Sequence, residues 1–178
     1  MKTLLLATAA TLFAGTALAA DPFAPATGDG WGGVYAGVHY GAGTVDARGP
    51  AGRAETDIDA YGLHGGYLHD FDGSVLGAEL DYDRLDGEGG KSADLTRLRA
   101  RAGMAHGRVL PYLSLGLAHY SDDTYSDTGI TYGIGADVQL TGTVLLGLDY
   151  SRDRIDNVDG TGADLEIDSL RIRASFRF

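Results

Sequence analysis

The sequence contains no cysteine and only 4 prolines among its 178 residues. Without cysteine, the chain can form neither a disulfide scaffold nor a thiolate metal site. Positive charge is also scarce, since 14 Lys+Arg face 25 Asp+Glu and the formal net charge is −11. Because neutralising phosphates requires clustered lysine and arginine, this balance argues against a protein that binds nucleic acid.

Long hydrophobic runs are missing beyond the first twenty residues, although 44 % of all residues are hydrophobic. A membrane-spanning helix needs about 20 consecutive apolar residues, so the sequence predicts no such helix in that region. Glycine is abundant, with 28 residues, but glycine and proline together are too few for a disordered, low-complexity chain. The length allows one ordinary domain or two small ones.

The first twenty residues have the organisation of a secretory signal peptide. A basic start at Met1-Lys2 precedes an apolar segment over residues 4–14, and Ala17-Leu18-Ala19 supplies the small residues of a cleavage site. A retained anchor helix is the alternative, but the segment is short for one and no stop-transfer flank follows it. The sequence therefore predicts a cleaved signal peptide of the Sec type over residues 1–20.

Residues 21–30 follow with two prolines, two glycines and no periodicity, which predicts a flexible arm. From Trp31 onward, polar and apolar residues alternate. In the segment 130–140, every even position is apolar and every odd one is Gly, Thr, Asp or Gln. A period of two predicts β-strands, and at about ten residues these exceed the usual length of about 5–6. We expect residues 31–178 to form one β-domain.

Short turns and longer polar connections divide this domain. Asp72-Gly73, His106-Gly107 and Thr141-Gly142 have the composition of two-residue hairpin turns. The longer connections are predicted at 46–57, 86–93, 121–127 and 156–164. Eight strands result, at about 31–46, 57–71, 74–86, 93–105, 109–121, 127–140, 143–156 and 163–178. Short turns at one end and longer loops at the other predict an all-β fold, an eight-stranded antiparallel up-and-down transmembrane β-barrel.

The strand faces that carry charge distinguish a soluble sheet from a membrane barrel. In a small outer-membrane barrel the apolar face meets lipid and the interior is polar. An unpaired buried charge costs several kcal/mol, so we expect opposite charges on neighbouring strands to pair in the lumen. The alternative is that they lie on the solvated face of a soluble sheet. The predicted lumen charge network comprises ten residues: Glu79, Asp81, Asp83, Arg97, Arg99, Arg101, Asp149, Asp153, Arg171 and Arg173.

Aromatic residues are spaced as expected for two membrane interfaces. Four tyrosines lie about nine to eleven residues from a tight turn, which at ~3.3 Å per residue and ~45° tilt is about 23 Å, close to the ~25 Å apolar band. They are Tyr61, Tyr82, Tyr132 and Tyr150. The opposite girdle is predicted at Trp31, Phe71 and Phe178.

Three segments resemble the small eight-stranded outer-membrane barrel family, which includes the OmpA transmembrane domain, OmpX and opacity-type proteins. They are residues 31–38 (WGGVYAGV), Pro111-Tyr112 and the final Arg177-Phe178. The resemblance covers residues 31–178. It implies the outer membrane of a Gram-negative bacterium, contact with its lipids and lipopolysaccharide, and Phe178 as the signal read by the outer-membrane assembly machinery. The peptidoglycan-binding domain of full-length OmpA has no counterpart here, so we expect no tethering role of that kind.

Side chains just fill the interior of an eight-stranded barrel. We therefore expect a structural or surface role in the cell envelope, at most a narrow pore, no cofactor and no enzymatic activity. His119-Tyr120-Ser121 has the His-x-Ser spacing of barrel lipid A deacylases, but Gly133 stands where that family has its acidic residue, so a triad would lack its third member. A lipid A-modifying enzyme and a surface adhesin or immune-evasion protein remain the alternatives.

Two further groups of polar residues fall outside these predictions. His39 and His64 lie on predicted lumen faces, where we expect hydrogen-bonded core residues rather than metal ligands. Asn157 to Glu166 partly matches a calcium loop, but Ile155 occupies its first ligand position. Loop aspartates could bind divalent cations among lipopolysaccharide phosphates or simply keep the loops solvated; they are Asp122, Asp123, Asp127, Asp156, Asp159 and Asp164.

Overall fold

The computed structural model describes residues 30–50, 52–87, 92–122, 125–156 and 162–178. These ranges form eight antiparallel strands that close into one barrel in sequence order, with the last strand paired to the first. The predicted fold class is confirmed. The strands are β1 (Gly33–Gly49), β2 (Gly52–Phe71), β3 (Ser74–Gly87), β4 (Ser92–Met104), β5 (Val109–Ser121), β6 (Ser126–Gln139), β7 (Val144–Ile155) and β8 (Asp164–Arg177).

Alternation along each strand separates an apolar outer surface from a polar interior. In β5, Leu113, Leu115 and Leu117 are each more than half exposed, whereas Tyr112 and Ser114 are buried. Successive side chains of a strand point to opposite faces, so a period of two places one set outside and the other inside. Within the described ranges, no helix is long and apolar enough to cross a membrane.

Three short connections lie at one end of the barrel, the turn end. Asp72-Gly73 joins β2 to β3 as predicted, and both residues have positive φ (54° and 100°). Type I′ turns, which two-residue hairpins favour, require this backbone conformation at both positions. The other two connections differ from the prediction. The β4–β5 turn is Gly107-Arg108, closed by a bridge between His106 and Val109, and the β6–β7 connection takes four residues, 140–143.

At the opposite, loop end, the predicted long connection over residues 46–57 is wrong. β1 and β2 remain paired as far as Gly49 and Gly52. The sequence predicts a loop here because residues 52–55 of β2 are exposed on both faces and so need no apolar alternation. With 17 and 20 residues, β1 and β2 exceed the other strands, which have 12 to 14. β8 stays paired with β1 as far as Arg48 and Asp164, whereas the pairing of β2 with β3 ends at Ile58 and Gly87, so residues 52–57 of β2 extend beyond β3.

The lumen has three layers. An apolar cluster at the turn end, the lower seal, comprises Trp31, Tyr35, Leu68, Val75, Leu110 and Leu145. A second cluster at the loop end, the upper seal, comprises Ile58, Ala60, Leu85, Ala93, Leu95, Ala118 and Ile167. Buried charged residues lie between them: along β3, for example, Glu79, Asp81 and Asp83 stand between Val75 and Leu85.

Candidate functional site

The middle layer of the lumen contains all ten residues of the predicted charge network, each at most 3 % exposed. Strand register brings several of them side by side. Glu79 is opposite Arg99, and Asp81 is opposite Arg97. On the other wall, Asp149 is opposite Arg171. Strand pairing thus accounts for the ion pairs Glu79–Arg99 and Asp149–Arg171, whereas Arg97 bonds to Asp83, one position away in the inward-facing row of β3.

Arg99 lies at the centre of the network and joins opposite walls of the barrel. Its Nε donates to Asp81 at 2.9 Å, its Nη2 to Glu79 at 2.7 Å and its Nη1 to Asp149 at 3.1 Å. A guanidinium has five N–H donors in a rigid plane, so one arginine can serve three carboxylates. Asp81 and Glu79 belong to β3 whereas Asp149 belongs to β7.

Like Arg99, Arg97 and Arg173 have partners other than the neighbouring-strand pairs that the sequence predicts. Arg97 donates from Nε and Nη2 to both oxygens of Asp153, at 2.8 and 2.6 Å, across the lumen from β4 to β7. Arg173 of β8 likewise reaches Glu79 of β3. The residues opposite Asp153 and Arg173 in the β7–β8 register are Ile167 and Gly147, which carry no charge. The barrel is narrow enough for arginine to span it instead.

Three further residues belong to the network and were not predicted as members. The guanidinium of Arg101 donates to Asp137 at 2.5 Å and to the hydroxyl of Tyr35 at 2.9 Å. It also stacks over the ring of Tyr112 at 3.6 Å from the centroid, and the Tyr112 hydroxyl donates to Asp149 at 2.9 Å. Their positions in the alternation already placed all three on the lumen face, so that signal could have identified them.

Glycines opposite large side chains make room for this interior. Tyr112 is paired with Gly135, and a Cβ at Gly135 would lie 2.4 Å from the tyrosine ring. Tyr35 is paired with Gly66, where a Cβ would lie 2.7 Å from the hydroxyl oxygen. Only glycine permits such close approach. Part of the high glycine content therefore serves lumen packing.

Trp31 is inside the barrel, so its prediction as a girdle residue is wrong. Its side chain is fully buried in the lower seal. The backbone N–H donates to Asp70 at 2.8 Å and the indole N–H to the carbonyl of Gly107 at 3.3 Å. Trp31 is an even number of residues from the inward-facing Tyr35, and this parity places it on the lumen side.

The other predicted girdle residues lie on the outer surface. Phe71 and Phe178 are 54 % and 46 % exposed at the turn end. Near the loop end, tyrosine hydroxyls donate to carboxylates on the next strand: Tyr61 to Asp86 at 3.2 Å, Tyr82 to Asp94 at 2.9 Å, Tyr150 to Asp168 at 2.6 Å and, additionally, Tyr40 to Asp59 at 2.9 Å. Tyr132 also faces outward, 39 % exposed.

A second set of ion pairs, the rim pairs, lies outside the barrel near the loop end. Arg152 donates to both oxygens of Asp168, at 2.7 and 2.9 Å. Arg154 contacts Glu166 at 2.5 Å and Arg48 contacts Asp46 at 2.8 Å. A pocket of about 220 Å³ opens beside these pairs, lined by Asp46, Arg48, Arg154, Asp156, Asp164 and Glu166.

His119 lies on the outer surface, where its ring nitrogens contact Thr128 at 2.9 Å and Ser126 at 3.3 Å. Gly133 is paired with Ser114 and Ser151. Within the described ranges, no three His, Asp or Glu side chains are grouped to hold a metal ion. The central residues of the possible calcium loop, 157–161, and Asp123 lie outside the described residues, as do the predicted signal peptide and residues 21–29.

A closed eight-stranded barrel with an apolar exterior and a charged, sealed interior defines a transmembrane β-barrel. The chain belongs to the family described as outer membrane protein beta-barrel domain, which matches residues 5–178. The outer membrane is accordingly its location.

Solved structures of similar fold come from three bacterial groups. Neisserial surface protein A is 21 % identical with a TM-score of 0.58, covering 82 % of this chain and 97 % of that one. Ail of Yersinia pestis is 15 % identical with a TM-score of 0.55, covering 81 % and 98 %. The N-terminal barrel of Pseudomonas aeruginosa OprF is 19 % identical with a TM-score of 0.52, covering 83 % and 99 %. At these identities the likeness concerns the fold. No curated protein sequence matches the chain significantly.

Proposed function

We propose that this protein is a closed structural barrel of the Gram-negative envelope, which contributes surface and integrity to the outer membrane rather than a diffusion pore. The layered lumen is the observation that carries this proposal. The upper and lower seals are apolar, and the charges between them hold one another through direct hydrogen bonds. A path for solutes would have to displace both seals and break this network.

The outer surface supports contact with lipopolysaccharide and other outer-membrane lipids. The tyrosines and the rim pairs form adjacent bands, apolar rings below and charges above, as the boundary between acyl chains and headgroups requires. Arg84, Arg152 and Arg154 have partly exposed side chains at this level. Guanidinium groups bind phosphate well, so these arginines are the ones we expect to meet lipid phosphates.

The predicted signal peptide and the exposed Phe178 support export and assembly in the outer membrane. The signal peptide over residues 1–20 would direct the protein across the inner membrane. Phe178, exposed on the outer surface next to Phe176 with ring centroids 5.2 Å apart, would be recognised by the outer-membrane assembly machinery.

Conductance of the purified barrel tests the closed lumen. We expect planar bilayers containing the wild-type protein to show no steady open channel, and liposomes containing it not to swell in arabinose. Trp31→Ala removes one seal only, so this variant should also stay closed to arabinose because the charged layer remains. Steady arabinose-permeable pores in the wild type would contradict the proposal.

The tip of the β1–β2 hairpin favours a second role, contact with partners outside the cell, with the turn end of the barrel periplasmic and the loop end extracellular. Arg53 and Glu55 near its tip have side chains that are 60 % and 59 % exposed, and they lie beyond Ile58, the last residue of β2 that is paired with β3. An epitope tag inserted after Pro50 should be accessible to antibody on intact cells, whereas a tag inserted at Gly107 should require permeabilised cells. Equal staining of both without permeabilisation would contradict this orientation.

A further inference from the structure

Two buried histidines form a chain of hydrogen bonds beside the charge network. The Nδ1 atoms of His39 and His64 are 3.1 Å apart, and the two rings are stacked with centroids 5.4 Å apart. His39 Nε2 lies 2.8 Å from an oxygen of Asp83, and His64 Nε2 lies 2.7 Å from the hydroxyl of Ser175. Both histidines are 4 % exposed. The chain runs without a gap from Ser175 to Asp83.

The backbone provides space for this pair on both strands. His39 is opposite Gly62, and His64 is opposite Gly37. A Cβ at Gly62 would lie 2.8 Å from His39 Nε2, and one at Gly37 would lie 2.7 Å from His64 Nε2. Each imidazole thus occupies the volume that a side chain on the neighbouring strand would take.

Hydrogen-bond chemistry limits how many protons the pair can hold. An ionised carboxylate only accepts, so His39 Nε2 carries a proton toward Asp83. The facing Nδ1 atoms share one proton. If it belongs to His64, both rings are neutral and Ser175 donates to His64 Nε2. If it belongs to His39, that ring is positively charged and His64 Nε2 donates to Ser175.

Both arrangements keep every heavy atom in place, because a serine hydroxyl can donate or accept. A second added proton would differ. It would place two N–H donors face to face at the 3.1 Å Nδ1–Nδ1 separation and bring two positive rings into a stack. The geometry therefore accommodates one extra proton and opposes two.

The charges around the histidine pair favour the uptake of one proton. Among the described residues, the buried lumen contains six carboxylates and five guanidiniums, an excess of one negative charge. The carboxylate of Asp83 accepts hydrogen bonds from Arg97 at 2.5 Å and from Arg171 at 3.1 Å, in addition to its contact with His39. The titratable and charged groups facing the pair are Tyr35 on β1, Glu79, Asp81 and Asp83 on β3, Arg97 and Arg101 on β4, and Arg171 and Arg173 on β8.

We propose that His39 and His64 form a binding site for a single proton inside the lumen. His39 carries the added proton and balances the sixth carboxylate, while His64 and Ser175 reverse their hydrogen bond to accommodate it. A second proton separates the two rings. The site is independent of whether the barrel serves a structural or a surface role.

Nuclear magnetic resonance of the full barrel with ring-¹⁵N-labelled histidine, in detergent micelles, tests this directly. We expect a scalar coupling across the hydrogen bond between the two Nδ1 atoms. As the pH falls, His39 should change from one to two protonated nitrogens while the coupling persists, and the coupling should vanish only at still lower pH. The exposed His69 and His119 are internal references. Absence of the coupling, or simultaneous titration of both rings, overturns the proposal.

Two matched variants assign the proton to one ring. His39→Gln retains an amide donor for Asp83 but cannot take a proton, so proton uptake by the pair should be lost and His64 should stay neutral. His64→Gln presents an acceptor oxygen to His39, so His39 should still take up its proton. Equal behaviour of the two variants overturns the assignment. If either fails to fold, the ring ¹⁵N shifts of the wild type show which histidine becomes doubly protonated, and uptake by His64 instead of His39 overturns the assignment.

Discussion

The protein contains two sets of arginine–carboxylate pairs that differ in their surroundings. In the lumen, the side chains of Arg97, Asp83 and Asp153 are 0 % exposed. On the rim, the side chain of Arg48 is 52 % exposed beside Asp46. Distances are similar, 2.5 to 2.6 Å inside and 2.8 Å outside. Burial, rather than distance, therefore determines how much each pair contributes to the stability of the fold.

The physical difference is the competing solvent. At the rim, water and salt screen the charges, and such pairs contribute little to stability. In the lumen the side chains are inaccessible to bulk solvent, so deleting one charge leaves its neighbours buried and uncompensated. We therefore expect the loss of a lumen charge to destabilise the barrel far more than the loss of a rim charge.

The largest effect is expected from Arg99→Ala. This change leaves Asp81, Glu79 and Asp149 short of a donor in the lumen, and the free energy of unfolding should fall by about 3–5 kcal/mol. Urea unfolding in lipid vesicles measures it, with the single tryptophan, buried in the lower seal, as the fluorescent probe.

Arg99→Lys is the matched control. It keeps the charge but presents a compact ammonium instead of a planar fork, so it should recover only part of the loss. A loss for Arg99→Ala no larger than that for Arg48→Ala would show that the lumen charges do not depend on one another.

An intermediate effect is expected from Gly135→Ala, which adds a methyl group inside the lumen. The new Cβ would lie 2.4 Å from the Tyr112 ring and 2.7 Å from the backbone oxygen of Leu148. Such overpacking destabilises by about 1–3 kcal/mol. Gly65→Ala is the outward-facing control, where the nearest atom is 3.5 Å away. It should be neutral or slightly stabilising. Equal losses in the two variants would mean that glycine acts through the backbone alone.

The smallest effect is expected from Arg48→Ala on the rim. Its partner Asp46 is also held by Arg53 at 2.6 Å, and water solvates what remains. The unfolding midpoint should not change measurably, and the little difference that exists should disappear in high salt. A salt-independent loss of stability would place this pair with the lumen set.

The sequence predicted the strands and the side of the barrel each residue faces better than the connections. Parity along β3 and β4 placed the charged residues of the lumen, because side-chain direction alternates within a single strand. The same rule places Trp31 inside the barrel. The expectation of an aromatic girdle placed it on the outer surface instead. The β1–β2 hairpin was mistaken for a loop because its polar residues lack the alternation that a buried face imposes.

The sequence by itself determined the eight-stranded barrel and the inward set of charges, since both depend on local periodicity and short-range turn chemistry. Closure of the barrel determined which of these side chains meet across the lumen. Arg97 meets Asp153, Arg173 meets Glu79 and His39 meets Asp83 only because the curved sheet brings distant strands within reach of one side chain. No local pattern encodes those distances; they follow from the diameter and stagger of the closed barrel.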